Sequence, residues 1–147
     1  MNAGKKKAKK VNATGRNDAE QYMGISYVMA HSPAFRSLSG AALKVWIELR
    51  SRYNGRNNGR LTLSWDEAAH LLHMGKSTIG RALEELKEKG FIVMTKPGHW
   101  YGRMATEWAV TDRPLDGHLA TRAWKNWRPQ LKPINSSSVP TRTISAA

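Results

Sequence analysis

The 147-residue chain carries 24 lysines and arginines against 11 acidic residues, a formal charge of +13, and it contains no cysteine. This length accommodates one compact domain with tails. The lack of cysteine excludes a disulfide scaffold, a thiol nucleophile and a cysteine-ligated zinc or iron–sulfur site. The basic balance excludes an acidic-surface enzyme and indicates a polyanionic partner.

The charge is concentrated at the two ends of the chain. Residues 1–16 contain six bases and no acid, residues 113–147 contain six bases and one acid, and residues 17–112 contain twelve bases and ten acids. We therefore predict a disordered basic tail over 1–16, a folded domain over 17–112, a basic extension with two tryptophans over 113–130, and a disordered tail over 131–147. No apolar run approaches the ~20 residues of a spanning helix, and the Lys-rich start lacks a signal-peptide core. We expect a cytoplasmic protein with no membrane partner.

The first predicted elements of the domain are two capped helices and a short strand. Ser32 followed by Pro33 predicts a short helix, and Ser39 predicts the cap of a longer one. That second helix has a helically spaced apolar stripe, formed by Ala42, Trp46, Leu49 and Tyr53. After the turn at 54–59, residues 61–63 alternate as a strand does.

Two helices separated by a tight turn come next. Ser64 and Glu67 form a capping-box sequence, in which Glu67 is expected to reach back to the cap, and the helix that follows is predicted to bury Ala68, Leu71 and Leu72. His73-Met74-Gly75 is the turn. The next helix is predicted to end at Gly90 and to bury one stripe, formed by Ile79, Ala82, Leu83 and Leu86.

A hairpin closes the predicted domain. Residues 91–95 read as one strand, 96–99 as a turn, and 100–111 as a second strand-like stretch. Trp100 and Tyr101 are candidates for closing the core from this hairpin, and we expect at least one of them to do so.

The segment Glu67–Ile92 resembles the reading head of bacterial winged helix–turn–helix proteins. The resemblance rests on Ala69, the turn at 73–75, the Lys76-Ser77-Thr78 helix start, Arg81-Ala82-Leu83, Leu86 and Gly90. With the helices at 33 and 39, the chain is similar to small phage- and plasmid-type members, some of which regulate transcription and others of which serve replication. The resemblance implies an α+β winged helix–turn–helix, with a three-helix core, a short strand and a C-terminal β-hairpin wing, that binds double-stranded DNA.

The predicted DNA-reading residues lie at the start of the second helix and on the wing. At 100° per residue, the buried stripe leaves Ser77 and Arg81 on the opposite side, and Arg81 is the candidate for a bidentate contact to guanine. Gly80 is expected to permit close approach to DNA. The full set of candidates is Lys76, Ser77, Thr78, Gly80, Arg81, Lys96, His99 and Arg103.

Simpler interpretations stand beside each of these. Arg81 lies four residues before Glu85 and could form a surface ion pair, and Ser77 could serve as a helix cap only. Trp124 and Trp127, interleaved with bases, could stack on nucleic acid, although docking on the domain or on a second subunit is favoured. A homodimer through residues 113–130 stays open.

Other chemistry is excluded or unsupported. Gly75-Lys76-Ser77 resembles the end of a P-loop, but that motif needs glycine where His70 stands. His70 and His73 lack a third metal ligand at suitable spacing. We expect no enzyme, no metal, no cofactor and no small-molecule ligand.

The sequence thus predicts a sequence-specific DNA-binding protein, most simply a transcriptional regulator. The alternatives are a replication or maintenance protein of a phage or plasmid, and a protein-interaction module or antiactivator on the same scaffold.

Overall fold

The computed structural model describes residues 21–131, which form an α+β fold of five helices and a three-stranded antiparallel sheet. The helices are α1 (Tyr27–Ala30), α2 (Pro33–Arg36), α3 (Gly40–Ser51), α4 (Trp65–Leu72) and α5 (Lys76–Glu88). The strands are β1 (Leu61–Thr62), β2 (Ile92–Lys96) and β3 (Glu107–Val110). The α+β class is confirmed. The tail predicted over 1–16, and the tail predicted over 131–147 except for Leu131, lie outside the described residues.

Serine side chains begin four of the helices. Ser32, Ser39 and Ser64 each accept a hydrogen bond from the backbone N–H three residues on, at 3.1 Å in each case, as predicted. Ser26 caps α1 in the same way. The second half of the predicted capping box is wrong, because Glu67 Oε1 accepts from Arg52 Nη2 at 2.8 Å and thereby links α4 to the end of α3.

The sheet has the order β1–β3–β2, with Leu61 opposite Trp108 and Ile92 opposite Val110. The predicted second strand over 100–111 is too long, since only Glu107–Val110 pairs with the neighbouring strands. Upstream of it, His99 and Met104 exchange backbone hydrogen bonds with each other, and Trp100–Gly102 form a 3-10 turn between them. This local closure removes those residues from the sheet.

The core lies between α3, α5 and the sheet. Its largest fully buried side chains include Trp46, Leu49, Phe91 and Ile92. The predicted α5 stripe is buried, as is most of the α3 stripe. The prediction is wrong for Leu71, which is 49% exposed, because α4 packs through Ala68, with Ala69 and Leu72 partly buried beside it.

The segment after β3 is joined to this core. Trp124 lies on the 3-10 turn Ala123–Asn126, is 2% exposed, and stacks on Phe91 with ring centroids 6.3 Å apart and planes 8° apart. Trp127 is partly buried against the same core, with Lys89 Nζ 5.2 Å from its ring centroid. The favoured interpretation, docking on the domain, is therefore confirmed, and stacking of Trp124 on nucleic acid is wrong for this fold.

Candidate nucleic-acid interface

The turn between α4 and α5 sets the direction of the candidate reading helix. His73 adopts the left-handed conformation (φ 52°, ψ 49°), and the N–H groups of His73 and Met74 both donate to the carbonyl of Ala69. Gly75 is extended and precedes α5 without a side-chain cap. A histidine in the left-handed region costs roughly 1 kcal/mol relative to glycine. The fold nevertheless makes the compact three-residue turn that the sequence predicts.

The first two turns of α5 have one buried and one exposed side. Ile79, Ala82 and Leu83 point into the core, whereas Lys76, Ser77 and Arg81 are exposed. Thr78 and Gly80 are half-buried. The helical periodicity therefore placed the polar candidates correctly on the solvent side.

Arg81 does not pair with Glu85, so the ion-pair interpretation is wrong. Glu85 instead accepts hydrogen bonds from the backbone N–H and hydroxyl of Ser39, at 2.9 and 2.6 Å, and from Lys89 Nζ at 2.8 Å. Burial raises the pKa of Glu85, but the hydrogen bonds from Lys89 and Ser39 prevail and hold that pKa below its ordinary value. Within residues 21–131, the Arg81 guanidinium has no carboxylate partner.

Two residues at the start of α4, Trp65 and Asp66, contact α5, and no periodic pattern in the sequence indicated either contact. Lys76 pairs with Asp66, both side chains being more than half exposed. A Cβ atom added at Gly80 would lie 3.0 Å from Trp65 Cη2. The close approach that glycine permits at position 80 is therefore to Trp65, which corrects the expectation that Gly80 is open to DNA.

The remaining candidates lie on the hairpin tip, defined here as residues 97–106, and at its base. Lys96 is half-exposed, with Nζ 4.0 Å from Glu107 Oε1, and the His99 and Arg103 side chains are exposed. Arg103 is left-handed (φ 50°) where it ends the 3-10 turn. Trp100 and Tyr101 are 88% and 95% exposed, so the prediction that at least one closes the core is wrong.

A short stretch of chain connects the hairpin base to the exposed side of α5. Thr62 of β1 is opposite Glu107, the first residue of β3, and Lys96 is opposite the same Glu107. Three residues after Thr62, Trp65 lies against Gly80. Three residues span at most about 10 Å. The base of the hairpin therefore lies close to the first turns of α5.

Neither a membrane span nor a metal cluster is found in the described part of the chain. None of its helices is long and apolar enough to cross a bilayer, and no three His, Asp or Glu side chains are grouped so that they could hold a metal ion. Comparisons with protein-family models, with curated proteins and with solved structures found no match to this chain.

Proposed function

We propose that this chain is a sequence-specific double-stranded DNA-binding protein with a winged helix–turn–helix fold, in which α4 and α5 form the helix–turn–helix and β2 and β3 the wing. The α+β architecture and the antiparallel sheet are compatible with that fold. The first two turns of α5 enter the major groove, and Lys96, His99 and Arg103 contact phosphates or the minor groove.

One observation carries this proposal: Arg81 is exposed and free of any carboxylate in the described residues, and the two acids that follow it most closely on α5, Glu84 and Glu85, are paired with other residues. Glu85 is held by Ser39 and Lys89, and Glu84 pairs with Lys87 at 2.8 Å. A free guanidinium beside Ser77 presents the donors that recognise the O6 and N7 atoms of guanine.

The position of the acids limits how far α5 enters the groove. Glu84 and Glu88 lie in the second half of the helix and are exposed, where they repel the phosphate backbone. At the start of the helix, Lys76 is held only by an exposed ion pair with Asp66, of the kind worth about 0–1 kcal/mol, so exchanging that carboxylate for a phosphate costs little.

Selection of bound duplexes from a random pool tests the proposal directly. We expect the wild-type protein to enrich a defined sequence containing guanine. Replacing the Arg81 guanidinium in Arg81→Ala is expected to cost about 1–3 kcal/mol of discrimination at one position of that sequence. Arg36→Ala is the matched control. Arg36 is an exposed arginine on α2, and its substitution removes the same charge at a site outside α4, α5 and the hairpin.

The control should lower affinity for specific and scrambled duplexes alike. A pool that shows no enrichment contradicts sequence-specific binding, and an Arg81→Ala protein that discriminates as well as the control contradicts the role of Arg81.

We propose transcriptional regulation, in a cytoplasmic protein associated with the nucleoid, as the biological role. Mapping of bound sites in the genome tests it, with promoters expected and origin repeats pointing instead to replication.

A further inference from the structure

The hairpin tip presents two large aromatic rings to solvent. Trp100 and Tyr101 are 88% and 95% exposed, and they contact each other edge to face with centroids 5.3 Å apart and planes 89° apart. Burial of such rings is ordinarily favourable, and aromatic side chains dominate cores and interfaces. Neither ring contributes to the core described above.

The hairpin tip is a turn closed by hydrogen bonds, and both rings lie on its outer side. His99 and Met104 pair through their backbones at 3.1 and 3.3 Å, and the Gly98 N–H donates to Thr106 Oγ1 at 3.2 Å. A Cβ atom at Gly98 would lie 2.7 Å from the Met104 carbonyl oxygen, so the two arms of the turn are packed as closely as glycine allows. These contacts therefore close the backbone turn that carries the aromatic pair.

The charge around the rings indicates the kind of partner. No acidic residue occurs between Glu88 and Glu107, and His99 and Arg103 stand on either side of the aromatic pair in the chain. Lys96 lies at the base of the hairpin, with its Nζ 4.0 Å from Glu107 Oε1. Exposed aromatic faces among cations are the combination with which proteins bind unpaired nucleotides, the rings stacking on bases and the cations contacting phosphates.

We propose that Trp100 and Tyr101 stack on unpaired bases of DNA next to the duplex that α5 contacts. The inference rests on the proposed function for its duplex partner. A paired base shows only its edges in the grooves, because its faces are covered by the neighbouring pairs. The faces of rings as exposed as Trp100 and Tyr101 are free to stack on a base. Bases with exposed faces occur at gaps, bulges and single-stranded ends.

Fluorescence anisotropy with three probes of one sequence tests the proposal: a fully paired duplex, the same duplex with a short bulge, and the single strand. Stacking is worth about 1–3 kcal/mol per base, so we expect wild-type protein to prefer the bulged duplex over the paired one by about 5- to 150-fold. The double variant Trp100→Ala/Tyr101→Ala should lose that preference and keep its affinity for the paired duplex within about twofold.

Two further variants control for aromatic content and fold. Tyr27→Ala removes a tyrosine on α1 that is 83% exposed and should leave the preference unchanged. Trp100→Phe/Tyr101→Phe keeps two stacking faces and should retain most of the preference. Circular dichroism of all variants should be that of the wild type, since the rings are outside the core.

The outcomes separate this inference from the proposed function. Equal binding of paired and bulged duplexes by the wild type, or an unchanged preference in the double alanine variant, overturns the stacking and leaves duplex recognition standing. Self-association of the wild type that the double alanine variant abolishes assigns the rings to contact between copies and also overturns it. A preference that depends on the rings, together with no enrichment from the random duplex pool, supports the stacking and contradicts the proposed function. Binding to none of the probes overturns both.

Discussion

Gly90 joins the end of α5 to the sheet and to the segment that follows the sheet. Its φ is +79°, and the turn it makes lets the Phe91 N–H donate to the Leu86 carbonyl at 2.9 Å. Its carbonyl accepts from Thr111 Oγ1 at 2.7 Å. A Cβ atom here would lie 2.8 Å from the backbone of Ala123 and Trp124, so both conformation and space require glycine.

Gly90→Ala should therefore destabilise the fold by at least about 2 kcal/mol, because left-handed strain is added to a clash with backbone that cannot move aside freely. Gly40→Ala is the matched control at the first position of α3, where an added Cβ meets nothing within 4 Å, and it should be neutral or stabilising by up to about 1 kcal/mol. Urea unfolding curves measure both. Equal stability of the two variants would contradict the close contact at Gly90.

At the level of elements, local sequence patterns predicted the helices but not the contacts between residues that are distant in the chain. Ser39 and Ser64 could be predicted as helix caps because the N–H groups that they accept from lie three residues away. The buried stripe of α5 could be predicted from helical spacing. The partner of Glu67 is Arg52, fifteen residues distant, so no local pattern reports it. For the candidate site, periodicity predicted the exposure of Arg81.

What periodicity could not predict at the site came from neighbouring elements. Trp65 covers Gly80 from α4, and the pairing of His99 with Met104 turns Trp100 out of the strand that its β propensity favours. These contacts are tertiary or depend on one specific turn. The sequence therefore predicted which face of α5 is exposed, but it did not predict the form of the hairpin tip.

The contact between α3 and α5 gives a prediction about pH. Glu85 accepts from Ser39 and Lys89 in its charged form, and its pKa is lowered in the folded state. The stability this adds is present above the pKa of an unfolded glutamate, about 4.3, and is lost as the pH falls from there through the folded pKa. Glu85→Gln should cost about 1–2 kcal/mol at pH 7, a deficit that shrinks below about pH 4.3.

Chemical unfolding from pH 3 to 7 measures this deficit, with Glu88→Gln as control, since Glu88 is exposed on the same helix and has no ion-pair partner among residues 21–131. At pH 7 the control should stay within about 0.5 kcal/mol of the wild type. A Glu85→Gln deficit that stays constant down to pH 3 would contradict the role of the charged carboxylate.

At the scale of the whole molecule, the segment that follows β3 packs on the core and is part of the fold. Trp124 fills the core against Phe91, and Arg50 of α3 pairs with Asp112 at 2.8 Å with only 5% of the Arg50 side chain exposed. The aromatic content and the charge of residues 113–130 suggested a separate extension, because sequence alone does not reveal that Gly90 leaves room for Ala123 and Trp124.

Trp124→Ala should accordingly cost about 3–5 kcal/mol, whereas Trp100→Ala removes the same side chain from an exposed turn and should change stability by no more than about 0.5 kcal/mol. Thermal unfolding followed by circular dichroism compares them independently of tryptophan emission. Similar unfolding temperatures for the two variants would contradict the docking of residues 123–127 on the core.

If the proposed function holds, the distribution of charge predicts that affinity for DNA and sequence specificity reside in different parts of the chain. Residues 1–16 hold six bases and no acid, whereas the domain over 17–112 has nearly balanced charges. Binding through phosphates releases counterions, so log K falls against log salt with a slope of about 0.9 per contact. Deleting residues 1–16 should flatten that slope by up to about 5 and weaken specific and scrambled duplexes by the same factor.

Arg81→Ala should do the reverse, changing the slope by no more than about 1 and lowering the ratio of specific to scrambled affinity. Titrations of both duplexes between low and physiological salt measure slope and ratio together. If deletion of residues 1–16 lowered the ratio, the basic end would be reading sequence. Because a run of lysines neutralises any phosphate equally well, we expect discrimination to reside in the first two turns of α5.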